Sequence, residues 1–418
     1  MNKKVMAMAV AGALVVPAAA LAQVQIGGSL TVFYYQHDPD NNSVGQKGDI
    51  LESSEPEIYV RAEEKLGGGL SAWFQCTSSM DGFITGSSSA QGWCGRNSGV
   101  GFRGGFGNFF VGNWDQPQKL IFNRGRGWFG GTNAFTGGSA VLLNGGSASG
   151  TGNPVQTIVA SPTIGGTTGA ATVITNNPGT FFRRQASSLN YHSPNWGGFS
   201  FMAAYSADNE STGRPDASLL DPRMYSIAGQ FATGPFYVGV GYENHDDYNP
   251  GNVAQGSAAG QYGGGSDTNI TAVLGLRMGG FDVRALYSKS EYETTNTTAL
   301  DLDGFGLFAD WNIAGPHTLR AQYVQVGDSK GNSTVSVGSY KGPAGTGCGS
   351  PSTQSCANGT GADVMAIFYS YAISKRTEVS VGYSAMSNDD RATFSKGKTA
   401  SSAGGTQKTT GLVLRHRF

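Results

Sequence analysis

Short segments that alternate apolar and polar residues recur along almost the whole chain, separated by short turns or longer polar loops. In the segment near 280–292, Phe281 and Tyr287 share one side, while Asp282 and Arg284 share the other. A period of two residues is the pattern of a β-strand with two unlike faces. Segments of about ten residues with this period are typical of strands that cross an outer membrane. Because a closed barrel pairs its backbone groups between neighbouring strands, it needs no continuous hydrophobic stretch.

Sixteen such segments can be counted after the first two dozen residues. They lie near 24–32, 56–65, 69–77, 98–106, 108–114, 184–193, 196–207, 221–233, 235–245, 267–278, 280–292, 301–313, 316–327, 362–374, 376–387 and 408–418. Their connections alternate between seven tight turns rich in Gly, Pro, Asn and Ser and eight longer loops. A water-soluble β-sandwich would also bury the apolar faces. The strand count, the alternating connections and the aromatic residues near segment ends favour an all-β, transmembrane, antiparallel up-and-down barrel of sixteen strands.

The amino-terminal residues predict export. Two lysines precede an apolar run over 5–16, and a small-x-small cleavage site ends at Ala22. The run is shorter than the roughly 20 apolar residues that a membrane-spanning helix needs. We therefore expect a signal peptide over 1–22 and a single barrel domain over 23–418.

Composition supports a β-rich chain and excludes one class of partner. The sequence holds 65 glycines in 418 residues, and only 14% of its residues are charged. Such a composition suits many tight turns and is unlike a charged, disordered chain. The formal net charge of -1 gives no reason to expect binding of nucleic acid.

Four cysteines form two local pairs in the sequence. Cys76 and Cys94 flank one polar loop, and Cys348 and Cys356 lie close together in another. Of the three possible connectivities, two local disulfides are the simplest in an oxidising compartment. A zinc site is the rival interpretation, but no histidine is near either pair and the spacings match no usual zinc module.

One glycine motif resembles a nucleotide-binding loop. The residues over 99–104 match G-x-G-x-x-G, which binds a dinucleotide only where a strand precedes it and a helix opens within it. The residues that follow, Gly105-Phe106-Gly107-Asn108, predict a turn instead. We therefore interpret these glycines as part of a flat barrel wall.

The five histidines are the candidate catalysts of a barrel hydrolase, which would need Ser, His and an orienting polar residue to converge. The five are scattered over different segments without a repeated local signature: His37, His192, His245, His317 and His416. We expect no enzyme activity, and a hydrolase stays the less favoured alternative.

The connection over 115–183 is the segment most suggestive of function, because loops of this length usually carry function or disorder. Its early part contains aromatic residues together with Lys119, Arg124 and Arg126, and we expect it to pack against another part of the protein. The later stretch over 145–179, rich in Gly and Thr, predicts a flexible or surface excursion.

Four stretches together resemble the general diffusion porins of Gram-negative outer membranes, in particular the sixteen-stranded trimeric type of beta-proteobacteria. They are 24–28, 95–104, 112–115 and 411–418. The resemblance implies a homotrimer in the outer membrane, with the third loop folded into the barrel to narrow the pore. It also implies that Phe418 is read by the barrel-assembly machinery. The long third loop with its insert departs from the usual family pattern.

Sixteen strands suit a lumen wide enough for water. We therefore expect a passive, water-filled channel for ions and small hydrophilic solutes, surrounded by outer-membrane lipid and without a cofactor. A surface-binding adhesin barrel is the alternative, and a plugged, non-conducting barrel would favour it.

Basic residues dominate the sides of the strands that we expect to face the lumen. These are Arg61, Arg103, Arg277, Arg284, Arg320, Arg415 and Arg417, to which the third loop adds Lys119, Arg124, Arg126 and Arg183. Asp115 is the only carboxylate of that loop, while Glu63 and Asp282 weaken the positive field. A cationic constriction favours anions. The best candidates for it are Arg103, Arg124, Arg126 and Arg320, with Arg61 and Asp115 also lining the pore.

Overall fold

The computed structural model describes residues 24–39, 47–54, 56–80, 82–85, 92–130, 135, 142–143, 181–206, 223–246, 266–295, 298–333, 340, 342–344, 358–396 and 403–418. The expected signal peptide over 1–22, the predicted flexible stretch over 145–179 and the predicted pair Cys348 and Cys356 lie outside these residues.

Eighteen strand segments, all antiparallel, form one sheet within the described part of the chain. They are β1 (Gln25–Pro39), β2 (Gly48–Ser53), β3 (Glu57–Gly67), β4 (Leu70–Ser79), β5 (Ser98–Gly104), β6 (Gly107–Asp115), β7 (Arg184–His192), β8 (Phe199–Ser206), β9 (Arg223–Thr233), β10 (Phe236–Asp246), β11 (Ser266–Met278), β12 (Phe281–Thr295), β13 (Thr298–Ala314), β14 (His317–Val326), β15 (Lys330–Gly331), β16 (Ala362–Ala372), β17 (Thr377–Asn388) and β18 (Thr406–Arg417). Helical elements whose bounds lie within the described residues include α1 (Gly82–Thr85), α2 (Pro117–Arg126) and a 3-10 turn over Gly127–Gly130.

The sheet closes into a barrel because β18 pairs with β1, for example Leu30 with His416. Two of the segments continue a neighbouring strand rather than adding a new one. β2 pairs with the carboxyl-terminal half of β1, and β3 pairs with its amino-terminal half. Together β2 and β3 therefore form one interrupted strand. β15 likewise pairs with β13 beyond the end of β14. The barrel therefore has sixteen strands, and the predicted fold class is confirmed.

The sequence predicts one of its eight longer loops near 38–54, and the structure corrects this prediction because β2 (Gly48–Ser53) lies inside that range. Pro56 is in the break and cannot donate a backbone hydrogen bond to the ladder. The sequence of β2 places Ile50 beside Leu51 between acidic residues, so it lacks the alternation that marks the other strands. An alternation with a period of two residues therefore does not predict β2.

The seven predicted tight turns lie where the structure has short connections at one end of the barrel. Gly279 and Gly280, between β11 and β12, have φ angles of 56° and 91°. This left-handed region favours glycine because other residues carry a Cβ that clashes there. The turn chemistry thus fixes the strand order at this end.

Apolar and polar faces separate across the barrel wall as expected. Phe281 and Tyr287 are exposed on the outside, whereas Leu286 and Ser288 are buried on the inside. Phe281 stacks on Trp311 of the next strand near the tight turns, with ring centroids 5.3 Å apart. Exposed aromatic residues at strand ends are typical of a membrane-interface girdle.

No helix among the described residues is both long and apolar enough to span a membrane.

The glycine motif over 99–104 lies in β5 and continues through a short turn into β6. A Cβ atom at Gly101 would lie 2.4 Å from the Cβ atom of Phe110 on the neighbouring strand. Glycine here therefore makes room for an inward aromatic ring. The motif has no helix to hold a phosphate, as the sequence predicted.

Candidate functional site

Helix α2 lies inside the barrel, where one of its faces packs against the wall. Its buried residues Gln118, Ile121, Phe122 and Gly125 follow the spacing of one helical face. A Cβ atom at Gly125 would come within 2.7 Å of Leu286 on β12, so the helix backbone approaches the wall closely. The first described part of the third loop thus occupies the lumen.

Neutral hydrogen bonds attach the start of α2 to the wall. The backbone N–H of Gln118 donates to Ser226 Oγ at 3.1 Å. The side-chain amide of Gln118 donates to Asn269 Oδ1 and to Thr271 Oγ1, the latter at 3.2 Å. Because these partners are uncharged and buried, salt in the lumen has little effect on this attachment.

The two arginines at the end of α2 point in different directions. Arg124 is exposed and lies over the ring of Tyr237, a residue of the wall strand β10, at 5.1 Å. Arg126 is 2% exposed, stacks on Phe122 and donates from Nη2 to the Phe129 carbonyl at 2.8 Å. Residues two apart on a helix lie on nearly opposite faces, so the two cannot share one lumen-facing position.

The tip of the described loop segment rests on the wall formed by β12 to β14 and β16 to β18. The guanidinium groups of Arg320 and Arg415 lie over the ring of Trp128 at 4.9 and 5.3 Å. The indole N–H of Trp128 donates to Glu378 Oε1 at 2.7 Å. Trp128 therefore covers this part of the wall.

Beneath Trp128, arginines alternate with carboxylates. Arg320 pairs with Glu378 at 2.9 Å and with Asp310 at 3.5 Å. Arg284 pairs with Asp282 at 2.6 Å and with Asp310 at 3.8 Å. We call Arg284, Arg320, Arg415, Asp282, Asp310 and Glu378 the covered wall. Only 11% of the Arg320 side chain is exposed, so its charge is largely shielded from the lumen.

A second group of basic residues lies on β3 and β5 and is more accessible. Arg61 is exposed, donates from Nε to the neutral Gln75 amide at 2.7 Å and lies 4.5 Å from the ring centre of Tyr59. Arg103 is half exposed and lies over Trp73 at 5.7 Å.

Glu63 is the carboxylate beside these groups. It pairs with Arg103 at 3.2 Å and with Lys65 at 2.7 Å. We call Arg61, Glu63, Lys65 and Arg103 the open wall. Together with Trp73 and Trp114, residues of this wall line a recess of about 300 Å³.

Asp115, predicted to line the pore, lies at the base of the loop. It pairs with Lys119 at 2.7 Å and with Arg184 at 3.3 Å, and the side chains of Asp115 and Lys119 are each only 13% exposed. The Asp115 carboxylate therefore binds two basic side chains at the base of the third loop.

Other predicted site residues also lie among the described residues. Cys76 and Cys94 form a disulfide, as expected. Arg277 is exposed near the tight turns and pairs with Asp282. Phe418 is exposed at the barrel closure, where its backbone exchanges two hydrogen bonds with Gly28.

A model of the Gram-negative porins matches residues 7–391 of the sequence. The chain belongs to the Gram-negative porin family. No curated protein sequence matches it significantly. It is similar in fold to the anion-selective porin from Comamonas acidovorans, with 18% identity, coverage of 95% of this chain and 100% of that one, and a TM-score of 0.65.

Two other solved structures share the fold. The trimer form of OmpT, an outer membrane protein of Vibrio cholerae, is 13% identical and covers 95% of this chain and 99% of its own, with a TM-score of 0.61. Salmonella typhi OmpF, solved in complex with daunomycin, is 12% identical and covers 95% and 98%, with a TM-score of 0.57.

This porin is a passive outer-membrane channel for ions and small hydrophilic solutes. The family and the fold point to a channel rather than an enzyme, and they do not favour the adhesin alternative.

Sequence reasoning missed several residues that shape the lumen. Trp128 and Glu378 are 250 positions apart, and no local pattern joins them. Helix α2 had a detectable signal, because Pro117 opens it and Gln118, Ile121 and Phe122 follow at helical spacing.

Proposed function

We propose that this porin favours small anions over cations. The observation that carries the proposal is the accessibility of Arg61, Arg103 and Arg124, which face the lumen from the open wall and from α2. Guanidinium groups stay charged at any physiological pH. In a narrow passage with low-dielectric walls, their field attracts anions and repels cations.

The balance of named charges differs between the two walls. The open wall and the lumen side of α2 carry Arg61, Lys65, Arg103 and Arg124 against Glu63. The covered wall holds three arginines and three carboxylates, so its charges cancel. The net positive charge that reaches the solute therefore comes from the open side. The anion selectivity stated for the Comamonas porin supports this direction.

The zero-current potential across a planar bilayer tests the proposal. Purified porin is inserted between two KCl solutions of different concentration, and the potential at which current vanishes is measured. We expect the sign that corresponds to a preference for chloride over potassium. A potential of the opposite sign, or one near zero, would contradict anion selectivity while leaving channel formation intact.

We also propose that the porin assembles as a homotrimer, which the OmpT trimer form supports. Its expected partners during biogenesis are the barrel-assembly machinery, which would read Phe418, and outer-membrane lipid. Sedimentation in detergent, corrected for bound detergent, should give three times the mass of one chain. A monomeric mass in the conducting preparation would contradict the trimer.

A further inference from the structure

One side chain, Asn97, contacts both ends of the third loop. Its Oδ1 accepts the backbone N–H of Asp115 at 3.0 Å and the Nε–H of Arg184 at 2.7 Å. Its Nδ2 donates to Asp115 Oδ2 at 3.0 Å. Asp115 is the last residue of β6 and Arg184 the first of β7, so the loop leaves and re-enters the wall beside Asn97.

Asn97 is held by a short segment that runs along β4. The disulfide from Cys94 to Cys76 joins this segment covalently to the strand. The backbone N–H of Arg96 donates to the Thr77 carbonyl at 3.0 Å, and the Gln75 side chain donates to the Asn97 carbonyl at 2.8 Å. The position of Asn97 is therefore tied to the barrel wall.

The backbone at Cys94 shows why a covalent bond matters here. Its φ angle is 60°, a left-handed conformation that costs free energy in a residue other than glycine. Its N–H donates to Ser78 Oγ at 2.9 Å. The disulfide opposes relaxation of this turn, which would carry Asn97 away from the loop.

The attachment reaches α2 through Asp115. The carboxylate of Asp115 binds Lys119 in the first turn of α2 at 2.7 Å, while Arg184 binds the same oxygen at 3.3 Å. A displacement of Asn97 would thus release a buried charge pair at the start of the helix that occupies the lumen.

We propose that Asn97 and the Cys76–Cys94 disulfide form a clamp that positions the base of the third loop and keeps the channel open. Asn97 is a positioning residue, because it acts on the solute path through Asp115 and Arg184. The proposal rests on the channel activity of this porin and is independent of its ion preference.

Reduction of the folded porin in a planar bilayer tests the disulfide. Tris(2-carboxyethyl)phosphine converts the disulfide into two thiols, and the phosphine takes oxygen from water to become its oxide. We expect the ratio of closed to open time to rise about tenfold, the effect of losing one hydrogen bond to a charged group. Loss of the Cys76–Cys94 crosslink is verified by mass spectrometry of the same sample.

The double variant Cys76→Ala/Cys94→Ala is the matched control. It should show frequent closures without reductant and no further change when the phosphine is added. A further change in that variant would assign the effect to the other cysteine pair and overturn the proposal. If reduced wild-type channels close no more often than untreated ones, the clamp is also overturned, whereas absence of any channel in untreated protein would contradict the channel function itself.

Asn97→Ala tests the clamp with the disulfide intact. We expect the ratio of closed to open time to rise about tenfold. The folded fraction of the variant at the temperature of recording should equal that of the wild type. Asn195→Ala is the control, because Asn195 binds only the turn residue Gly198 in the described hydrogen bonds and lies between β7 and β8. If Asn97→Ala channels close no more often than Asn195→Ala channels, the clamp is overturned. The folded fraction of each variant, measured by heat-shifted electrophoresis, separates an effect on gating from misfolding.

Discussion

The open wall and the covered wall both combine arginines with carboxylates but present different charges to a solute. Arg103 on the open wall is 50% exposed, whereas Arg320 on the covered wall is 11% exposed and pairs with two carboxylates. Both arginines are on strands and both point inward. What separates them is the described part of the third loop, which packs on Arg320 through Trp128 and not on Arg103. The direction of a side chain therefore does not decide whether its charge acts on permeating ions.

The largest effect should follow neutralisation of the open wall in the variant Arg61→Gln/Arg103→Gln. A unit charge at about 8 Å in water contributes roughly 0.5 kcal/mol to the energy of an ion, and screening at physiological salt lowers this to about 0.2 kcal/mol. Because the sign is opposite for anions and cations, each arginine changes the permeability ratio about twofold. We expect the anion-to-cation permeability ratio to fall about fourfold for the pair. The zero-current potential in a KCl gradient measures this ratio.

The matched control removes one positive and one negative charge from the covered wall, in Arg320→Gln/Glu378→Gln. This variant leaves the local balance of charge unchanged, and its permeability ratio should stay close to that of the wild type. A shift as large as that of the open-wall variant would mean that both walls act on the ions, and the distinction between them would fail.

A smaller effect is expected from Arg124→Gln, which removes one exposed charge from α2. The permeability ratio should fall about twofold. Arg126→Gln is its counterpart two residues away and should leave the ratio unchanged, because Arg126 is buried against Phe122. The loss of its hydrogen bond to the Phe129 carbonyl should instead lower the free energy of unfolding by about 2 kcal/mol. Equal changes of ion preference in the two variants would contradict the orientation of the helix.

The fold was predictable because a barrel repeats one simple rule. Period two identified all sixteen strands, and the turn residues identified their order, since both signals are local. The rule failed at β2, where Ile50 and Leu51 are adjacent and Pro56 interrupts pairing. Such a strand is recognisable only through its partner β1.

The lumen was less predictable because its charges are set by contacts between distant segments. Sequence reasoning treated Arg103, Arg124, Arg126 and Arg320 as equivalent, since all were expected to face inward. Arg126 differs because the segment is helical, and Arg320 differs because Trp128 packs on it. Neither fact follows from alternation along a strand.

A small change in ion preference is expected from removing the cover itself, in the variant Trp128→Ala. This substitution exposes Arg320 and Arg415 but also Asp310 and Glu378, whose charges oppose them. We therefore expect a modest rise in single-channel conductance, because the described part of the loop loses volume at position 128. The permeability ratio should change by less than about 1.5-fold.

Trp128→Phe keeps a ring over the two arginines and serves as the control, with a conductance close to that of the wild type. It loses the indole N–H that donates to Glu378. A change of conductance in Trp128→Ala but not in Trp128→Phe therefore comes from the loss of the ring and not from the loss of that hydrogen bond. If Trp128→Ala raised anion preference as strongly as the open-wall variant lowers it, the covered arginines would outweigh their carboxylates. The low exposure of Arg320 would then be the sole reason why it does not affect ion preference in the wild type. Pairing with Asp310 and Glu378 would not neutralise its charge. An increase in conductance at constant ion preference shows that pairing by itself removes the charge from the path of the ions.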